Sequence, residues 1–322
     1  MKALKRKQKG PGKWFRKGLS LTDVVRLLPD DATAEQWFAS IRWPDGPACP
    51  HCGSHNVLVG CAHPSMPYRC RPCDKRFSVR TGTVMADSKL GYQTWALAIY
   101  LLCTCIKGIS SMKLRRELGI SQKSAWHLGH RLRAGFARPG GLFAGPVEVD
   151  EVYVGGRERN KHESKKLHAG RGTVGKQAVV GACDRASGSV AAQPVPRASK
   201  DELQGFVRVQ AAPGAAVHTD EAAAYASMPE YAHEAVHHSA GEYVRGSVHT
   251  NGIESFWALF KRGYHGTYHH MSGQHLWRYL TEFGGRHNVR NADTEAQMRG
   301  LARGLVGQVL TWKMLAAGPA AA

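Results

Sequence analysis

Two groups of side chains in this sequence could do chemistry, and each suits a different metal. Cys49-Pro-His-Cys52 and Cys70-Arg-Pro-Cys73 are tight Cys-x-x-Cys pairs with seventeen residues between them. Each pair forms a knuckle whose two thiolates can face one tetrahedral ion. Two knuckles complete a four-sulfur zinc site with no open position, which holds a small fold together rather than doing chemistry. His51, His55, Cys61 and His63 stand nearby without a matching knuckle and read as surface residues. The second group is acidic: Asp150 in "VEVDEVYVGG", Asp220 closing "AAVHTD", and Glu254 in "HTNGIESFWALFKRG". Carboxylates brought together from separate elements can hold two divalent ions roughly 3.5–4 Å apart, the arrangement used in phosphodiester chemistry.

Several elements must position these groups. Asp30-Asp31 offers an N-cap to a helix over Ala32 to Trp43, and Pro44-Asp45-Gly46-Pro47 breaks the chain before the first cysteine pair. From Tyr92 to Phe136 the pattern is helical. Ile106 to Glu117 and Gln122 to Phe136 flank a turn at Gly119 with Ser121 as cap, the rhythm of a helix-turn-helix. Ala137 to Pro146 is rich in Gly and Pro and reads as a linker. The texture then changes. "VEVDEVYVGG" alternates as a strand, and "KQAVVGACDRASGSVAAQPV" as a hairpin turning at Asp184 to Gly188. Glu148, Asp150 and Val152 share one face of that first strand, and Glu151 points away. A capping box predicts a helix from Ser199, and "AAVHTD" a short buried strand. Helices over Glu221–Ser227, Asn251–Arg262 and Ser272–Arg290 follow, with a strand near Ala235 to His238. This order implies an α/β layer fold.

The charge balance narrows the partner. Lys plus Arg number 44 against 25 acidic residues, a formal net charge of +19. Such an excess attracts polyanions through counterion release. No apolar run reaches the ~20 residues that span a bilayer, so nucleic acid is favoured over a membrane. Residues 1–20 hold eight basic residues and no acid, a basic arm rather than an export signal. "RERNKHESKKLHAGRG" reads as a DNA-facing loop. In the second helix of the helix-turn-helix, Lys123, His127 and Arg131 could reach bases and phosphates.

In an RNase-H-like fold the first carboxylate sits in the first strand, the second follows the fourth strand, and the third lies on a later helix. This chain supplies all three in that order, with thirty-three residues between Asp220 and Glu254. From "RWPDGPACPHCGS" and "YRCRPCDKRFSVRTGT" through "VEVDEVYVGG" to "HTNGIESFWALFKRGYHGTYHHMS", it resembles bacterial insertion-sequence transposases that carry an N-terminal zinc ribbon. Those enzymes have a catalytic Asp-Asp-Glu or Asp-Asp-Asn, followed by Lys. The resemblance implies that Asp150 and Asp220 are metal ligands, and leaves Asn251 and Glu254 as alternatives for the third. At 100° per residue Asn251, Glu254, Ala258 and Lys261 share one helix face, and Ile253, Phe256, Trp257 and Phe260 another. A carboxylate binds Mg²⁺ better than a neutral amide, which favours Glu254, and both can contribute. Lys261, with Arg262 beside it, is placed to hold a phosphate of the transposon end.

The expected class is therefore α/β: an RNase-H-like catalytic domain preceded by a small zinc ribbon and a helix-turn-helix domain. The expected boundaries are 1–45 (basic arm and short helices), 46–84 (ribbon), 85–138 (helix-turn-helix), 139–291 (catalytic domain) and 292–322 (C-terminal helix and tail). The expected activity is metal-dependent cleavage at transposon ends with strand transfer into target DNA, using Mg²⁺ or Mn²⁺ beside structural Zn²⁺. Double-stranded DNA is the partner, with at least a homodimer in synapsis and a cytoplasmic, nucleoid-associated setting in a prokaryote. The rival is a non-catalytic, sequence-specific DNA-binding regulator or decayed element, which has no need of the acidic residues.

Overall fold

The computed structural model describes residues 17–136, 141–156, 158–168, 172–220, 223–237 and 244–317. The chain divides into two compact units. One comprises Met1–Cys105, Leu114–Gly135 and Val289–Leu310, the other Ile106–Lys113, Phe136–Asn288 and Thr311–Ala322. Most of the basic arm expected at the start lies outside the described residues, as do parts of the linker at 137–140 and of the loop at 157 and 169–171.

In the first unit, helix α1 (Leu21–Leu27) starts with a capping box between Ser20 and Asp23, and α2 (Asp31–Arg42) is capped by Asp30, which accepts from the Thr33 amide at 2.7 Å. Helix α3 (Tyr92–Thr104) buries Trp95, Ile99 and Leu102 and packs against α1, α2 and α9 (Thr294–Gly304). Between α2 and α3 lies a three-stranded antiparallel sheet, β1 (Val57–Val59), β2 (Tyr68–Cys70) and β3 (Arg76–Phe77). Its small core is aromatic: Trp43, Tyr68 and Phe77 stand 5.1–5.8 Å apart, centroid to centroid.

Two helices flank the turn expected at Gly119, α4 (Ser111–Leu118) and α5 (Gln122–Ala134). Gly119 takes φ +64°, and the Ser121 hydroxyl accepts from the Ser124 amide at 3.1 Å. Helix α4 begins five residues later than expected. Gly108 adopts φ +84°, and a Cβ there would overlap the Tyr268 ring, so the chain turns where a helix would otherwise run.

The second unit holds a five-stranded sheet in the order β6 (Ser189–Val195), β5 (Gln177–Asp184), β4 (Val147–Val154), β7 (Ala216–Thr219), β8 (Ala232–Ala235). Strands β4, β5 and β6 form an antiparallel meander, while β7 and β8 run parallel to β4. Alternation along β4 sends Val147 and Val149 to one face, with Leu203, Phe206 and Val207 of α6 (Lys200–Gln210). Val152 and Val154 go to the other, against Ile253, Phe256, Trp257 and Phe260 of α7 (Asn251–Gly263) and Leu276, Leu280 and Phe283 of α8 (Gly273–Asn288). Each of these large apolar side chains contributes roughly 1.5–3 kcal/mol on burial. A π-helical turn, Tyr264–Tyr268, extends α7, and α10 (Trp312–Ala317) is short.

Three further details depart from expectation. Ser199 precedes α6 but makes no side-chain cap bond. Within Glu221–Ser227 the described structure is a single 3₁₀ turn, Ala223–Tyr225, with 221 and 222 outside the described residues. Strand β8 starts three residues earlier than expected, because its partners are fixed by β7, from Ala216↔Ala232 to Thr219↔Ala235. Mid-strand Gly181 pairs with Asp150, and a Cβ on it would fall 2.5 Å from the Trp257 ring, so α7 lies directly on the sheet there. Among the described residues no helix is long and apolar enough to cross a membrane.

Candidate functional site

The cysteine site is assembled by turns. Cys49 accepts the Gly53 amide on its carbonyl and donates its own amide to Ser54, which folds the first knuckle, and Gly53 takes φ +74°. The Cys70 amide donates to Lys75 across the second, where Asp74 adopts φ +57°. The four ligand atoms of Cys49, Cys52, Cys70 and Cys73 lie within 4.8 Å of one another. Cys49 and Cys73 sulfurs are 3.7 Å apart, and those of Cys52 and Cys70 3.5 Å. With Zn–S bonds near 2.3 Å, a tetrahedron has edges of about 3.8 Å, so the quartet fits zinc. His51, His55 and His63 are exposed and outside this cluster.

The acidic site lies in the second unit, where β7 ends beside the middle of β4. The parallel pairs are Val147↔Val217 and Glu148↔His218, so continuing the register by two residues sets Asp150 level with Asp220, the first residue after β7. Asp150 faces the α7 side of the sheet and accepts the Glu151 amide at 2.8 Å. Burial, then the charges of Glu151, Asp220 and Glu254, push the Asp150 carboxyl up to about 7, against the pull of that amide. The coupling places Asp150, Asp220 and Glu254 within electrostatic reach, and it adds a fourth member.

As the alternation of β4 predicts, Glu151 points away from the face shared by Glu148, Asp150 and Val152. Its side chain turns to the α6 face, where it accepts from the Tyr225 hydroxyl at 2.9 Å, yet it still shares the field of Asp150 and Asp220. Burial and Asp220 raise Glu151, while the Tyr225 bond pulls it down. Tyr225 is buried, and burial together with Glu151 holds its phenol well above the ordinary range, so it stays a donor. Alternation along β4 assigns Glu151 its strand face, but nothing in the pattern points to Tyr225, which comes from a different element.

Helix α7 presents its faces as its periodicity requires. Asn251, Glu254, Ala258 and Lys261 are exposed, and Ile253, Phe256, Trp257 and Phe260 are buried. The hydroxyl of buried Thr250 donates to Glu254 at 2.7 Å and orients that carboxylate. Asn251 opens the helix, and Arg262 is exposed beside Lys261. Among the described residues, only the cysteines bring three or more potential ligand atoms within 4.8 Å of one another. The acidic group is more loosely gathered, as repelling carboxylates are.

The expected DNA-contacting residues of α5 differ in setting. Lys123 is exposed in the first turn. His127 and Arg131 are half-buried and both direct ring or guanidinium nitrogens to the Leu310 carbonyl, at 3.3 and 3.1 Å. Burial lowers both groups from their usual values.

A closed cysteine site and a carboxylate-bearing α/β unit on one chain match two transposase modules. Residues 143–288 match the ISXO2-like transposase domain, and residues 29–76 the transposase zinc-ribbon domain. An uncharacterized protein in transposable element ISH50 of Halobacterium salinarum is 32% identical, over 74% of this chain and 84% of that protein. The chain belongs to the ISXO2-like transposases. A solved chain from a simian T-cell lymphotropic virus intasome bound to PP2A regulatory subunit B56 gamma shares 16% identity over 59% of this chain and 65% of its own, with a TM-score of 0.28.

Proposed function

We propose that this transposase-family chain cuts DNA at the ends of its element and joins the freed 3′-hydroxyl to target DNA, using Asp150, Asp220 and Glu254 as ligands for two divalent ions. The observation that carries the reading is the convergence of Asp150 and Asp220 at matching heights on adjacent parallel strands, with Glu254 coupled to Asp150 from α7. The sheet order, an antiparallel meander followed by two strands parallel to the first, supports an RNase-H-like reading of this unit. Glu254 is favoured as third ligand because Thr250 orients it and its charge reaches Asp150, while Asn251 shares its helix face and can assist.

The donor set suits Mg²⁺ or Mn²⁺: hard oxygen ligands, partly buried, with negative charge in excess of local cations. Bound there, the ions would activate the attacking oxygen and stabilise the leaving one. The chain's own part is to hold the carboxylates level and to anchor the DNA, with Lys261 and Arg262 along α7, and Lys123 on α5, as phosphate contacts. The ribbon would hold Zn²⁺ and present Arg69, Arg71, Lys75 and Arg76 around its second knuckle.

The test is cleavage of DNA carrying the element's terminal repeats, with Mg²⁺ or Mn²⁺. Wild-type cleavage that Asp150→Asn and Asp220→Asn remove, with DNA affinity retained, supports the reading. Equal cleavage by wild type and both variants refutes the assignment of Asp150 and Asp220, and binding by wild type without cleavage leaves a DNA-binding regulator instead.

A further inference from the structure

We infer that Glu148 is a positioning residue for this acidic site: buried in β4 two residues before Asp150, it fixes the start of α7 and so the place where Glu254 meets Asp150. The inference deepens the reading above and rests on it.

A helix leaves its first amides without intrahelical partners, and the N-cap side chain ordinarily accepts from one of them. In α7 the N-cap is Thr250, whose hydroxyl donates to Glu254 and makes no cap bond. The capping is done from another element. Glu148, 1% exposed, accepts the Gly252 amide at 2.6 Å and the Ile253 amide at 3.0 Å, both on Oε2. An anion at this end of the helix also faces the positive end of its dipole. The roles of the two side chains are thus exchanged: the local hydroxyl orients Glu254, and a carboxylate from the sheet caps the helix.

The other oxygen of Glu148 ties in the preceding segment. Oε1 accepts from Arg185 Nε at 2.6 Å and lies 3.2 Å from His249 Nδ1. Arg185, in the β5–β6 turn, donates its remaining nitrogens to the carbonyls of Ser247 and His249, which lead into α7. One buried carboxylate therefore joins β4, the hairpin turn and the first turn of α7. Both spans running from this clamp are stiff. Two strand residues carry Asp150 about 6.7 Å along β4, and the three residues from Asn251 to Glu254 rise about 4.5 Å along the helix.

Gly252 shows how closely the parts approach. A Cβ there would stand 2.7 Å from Glu148 Oε2 and 3.2 Å from Cys183 Sγ. Both atoms are enclosed, and neither is the end of a freely moving chain. Gly252→Ala thus pushes the cap away without removing a charge, and Glu148→Asp keeps the charge but withdraws it by about one methylene.

The test uses the full chain in three assays: Mn²⁺ affinity by electron paramagnetic resonance, cleavage of terminal-repeat DNA, and DNA affinity. Both variants should weaken Mn²⁺ binding about tenfold and lower kcat at least about tenfold, with KM for DNA within about twofold. A role in folding alone would lower the melting temperature and leave Mn²⁺ affinity and kcat per folded molecule unchanged, and that outcome overturns the inference. If one variant does not fold, the other decides. If neither folds, hydrogen exchange in the wild-type chain decides: slow exchange at the Gly252 and Ile253 amides supports the cap, and rapid exchange there overturns it. Should wild type and Asp150→Asn prove equally inert on DNA, the cleavage reading fails, while the Mn²⁺ affinities of wild type and Gly252→Ala still decide the positioning role.

Discussion

The cysteine quartet and the carboxylate group of this molecule are built on opposite plans. In the ribbon four sulfurs already stand at tetrahedral spacing, drawn from two short turns and backed by the Trp43, Tyr68 and Phe77 cluster. In the larger unit four carboxylates come from β4, the end of β7 and α7, and burial, together with their mutual repulsion, raises Asp150 to about 7. Thiols can be crowded before a metal arrives because they need not be charged. Carboxylates near neutral pH cannot be crowded without cost, so a site made of them stays open until cations neutralise it. The closed plan suits a permanent structural ion, and the open one suits ions that must share their coordination with substrate.

That contrast can be broken at its strongest point first. Removing zinc by chelation, or Cys70→Ser, should unfold the ribbon, since structural zinc contributes on the order of 10 kcal/mol, while the larger unit keeps its own melting transition. Two transitions in calorimetry, only one of them shifted, would establish this; a single shared shift would count against it. Next comes Asp150→Asn, with an expected loss of at least about a thousandfold in cleavage rate, or roughly 4 kcal/mol, at little change in DNA affinity.

The third prediction concerns pH. The folded Asp150 carboxyl is pushed up to about 7 from an ordinary 3.8, so the native state holds that proton more tightly than the unfolded chain. The stabilisation is complete below about pH 4 and is lost as pH rises through about 7. Metal-free protein should therefore lose on the order of 2 kcal/mol between pH 4 and 8, after discounting for partial exposure, and Asp150→Asn should flatten the profile. A pH-stability curve identical in the two proteins would contradict the picture of a repelling cluster. The smallest expected effect belongs to Tyr225→Phe, which deletes one bond to Glu151 and should cost about 1 kcal/mol by denaturant titration.

The legible parts of this molecule were those governed by local pattern. Cys-x-x-Cys spacing identified the ribbon ligands, alternation identified β4, and the 3.6-residue period sorted α7 into a buried aromatic face and an exposed face with Asn251, Glu254 and Lys261. What could not be read depended on pairs far apart in the chain. Nothing local to Tyr225 points to Glu151, and nothing local to Glu148 points to the amides of Gly252 and Ile253. Helix α4 starts late because a tyrosine about 160 residues away occupies the space beside Gly108. Ser199 looked like a cap by composition and makes no such bond, since the tertiary setting of a side chain decides whether its hydroxyl is used.

Gly181 bears on the choice of its neighbour as well as on packing. Directly across the ladder from Asp150, it leaves a gap one methyl group wide, and the indole of Trp257 fills it. That missing methyl sets how closely α7 lies on the sheet beside Asp150. Any larger residue at 181 would wedge the helix outward and carry Glu254 with it. A side chain at this position therefore requires a smaller residue than Trp257 across from it.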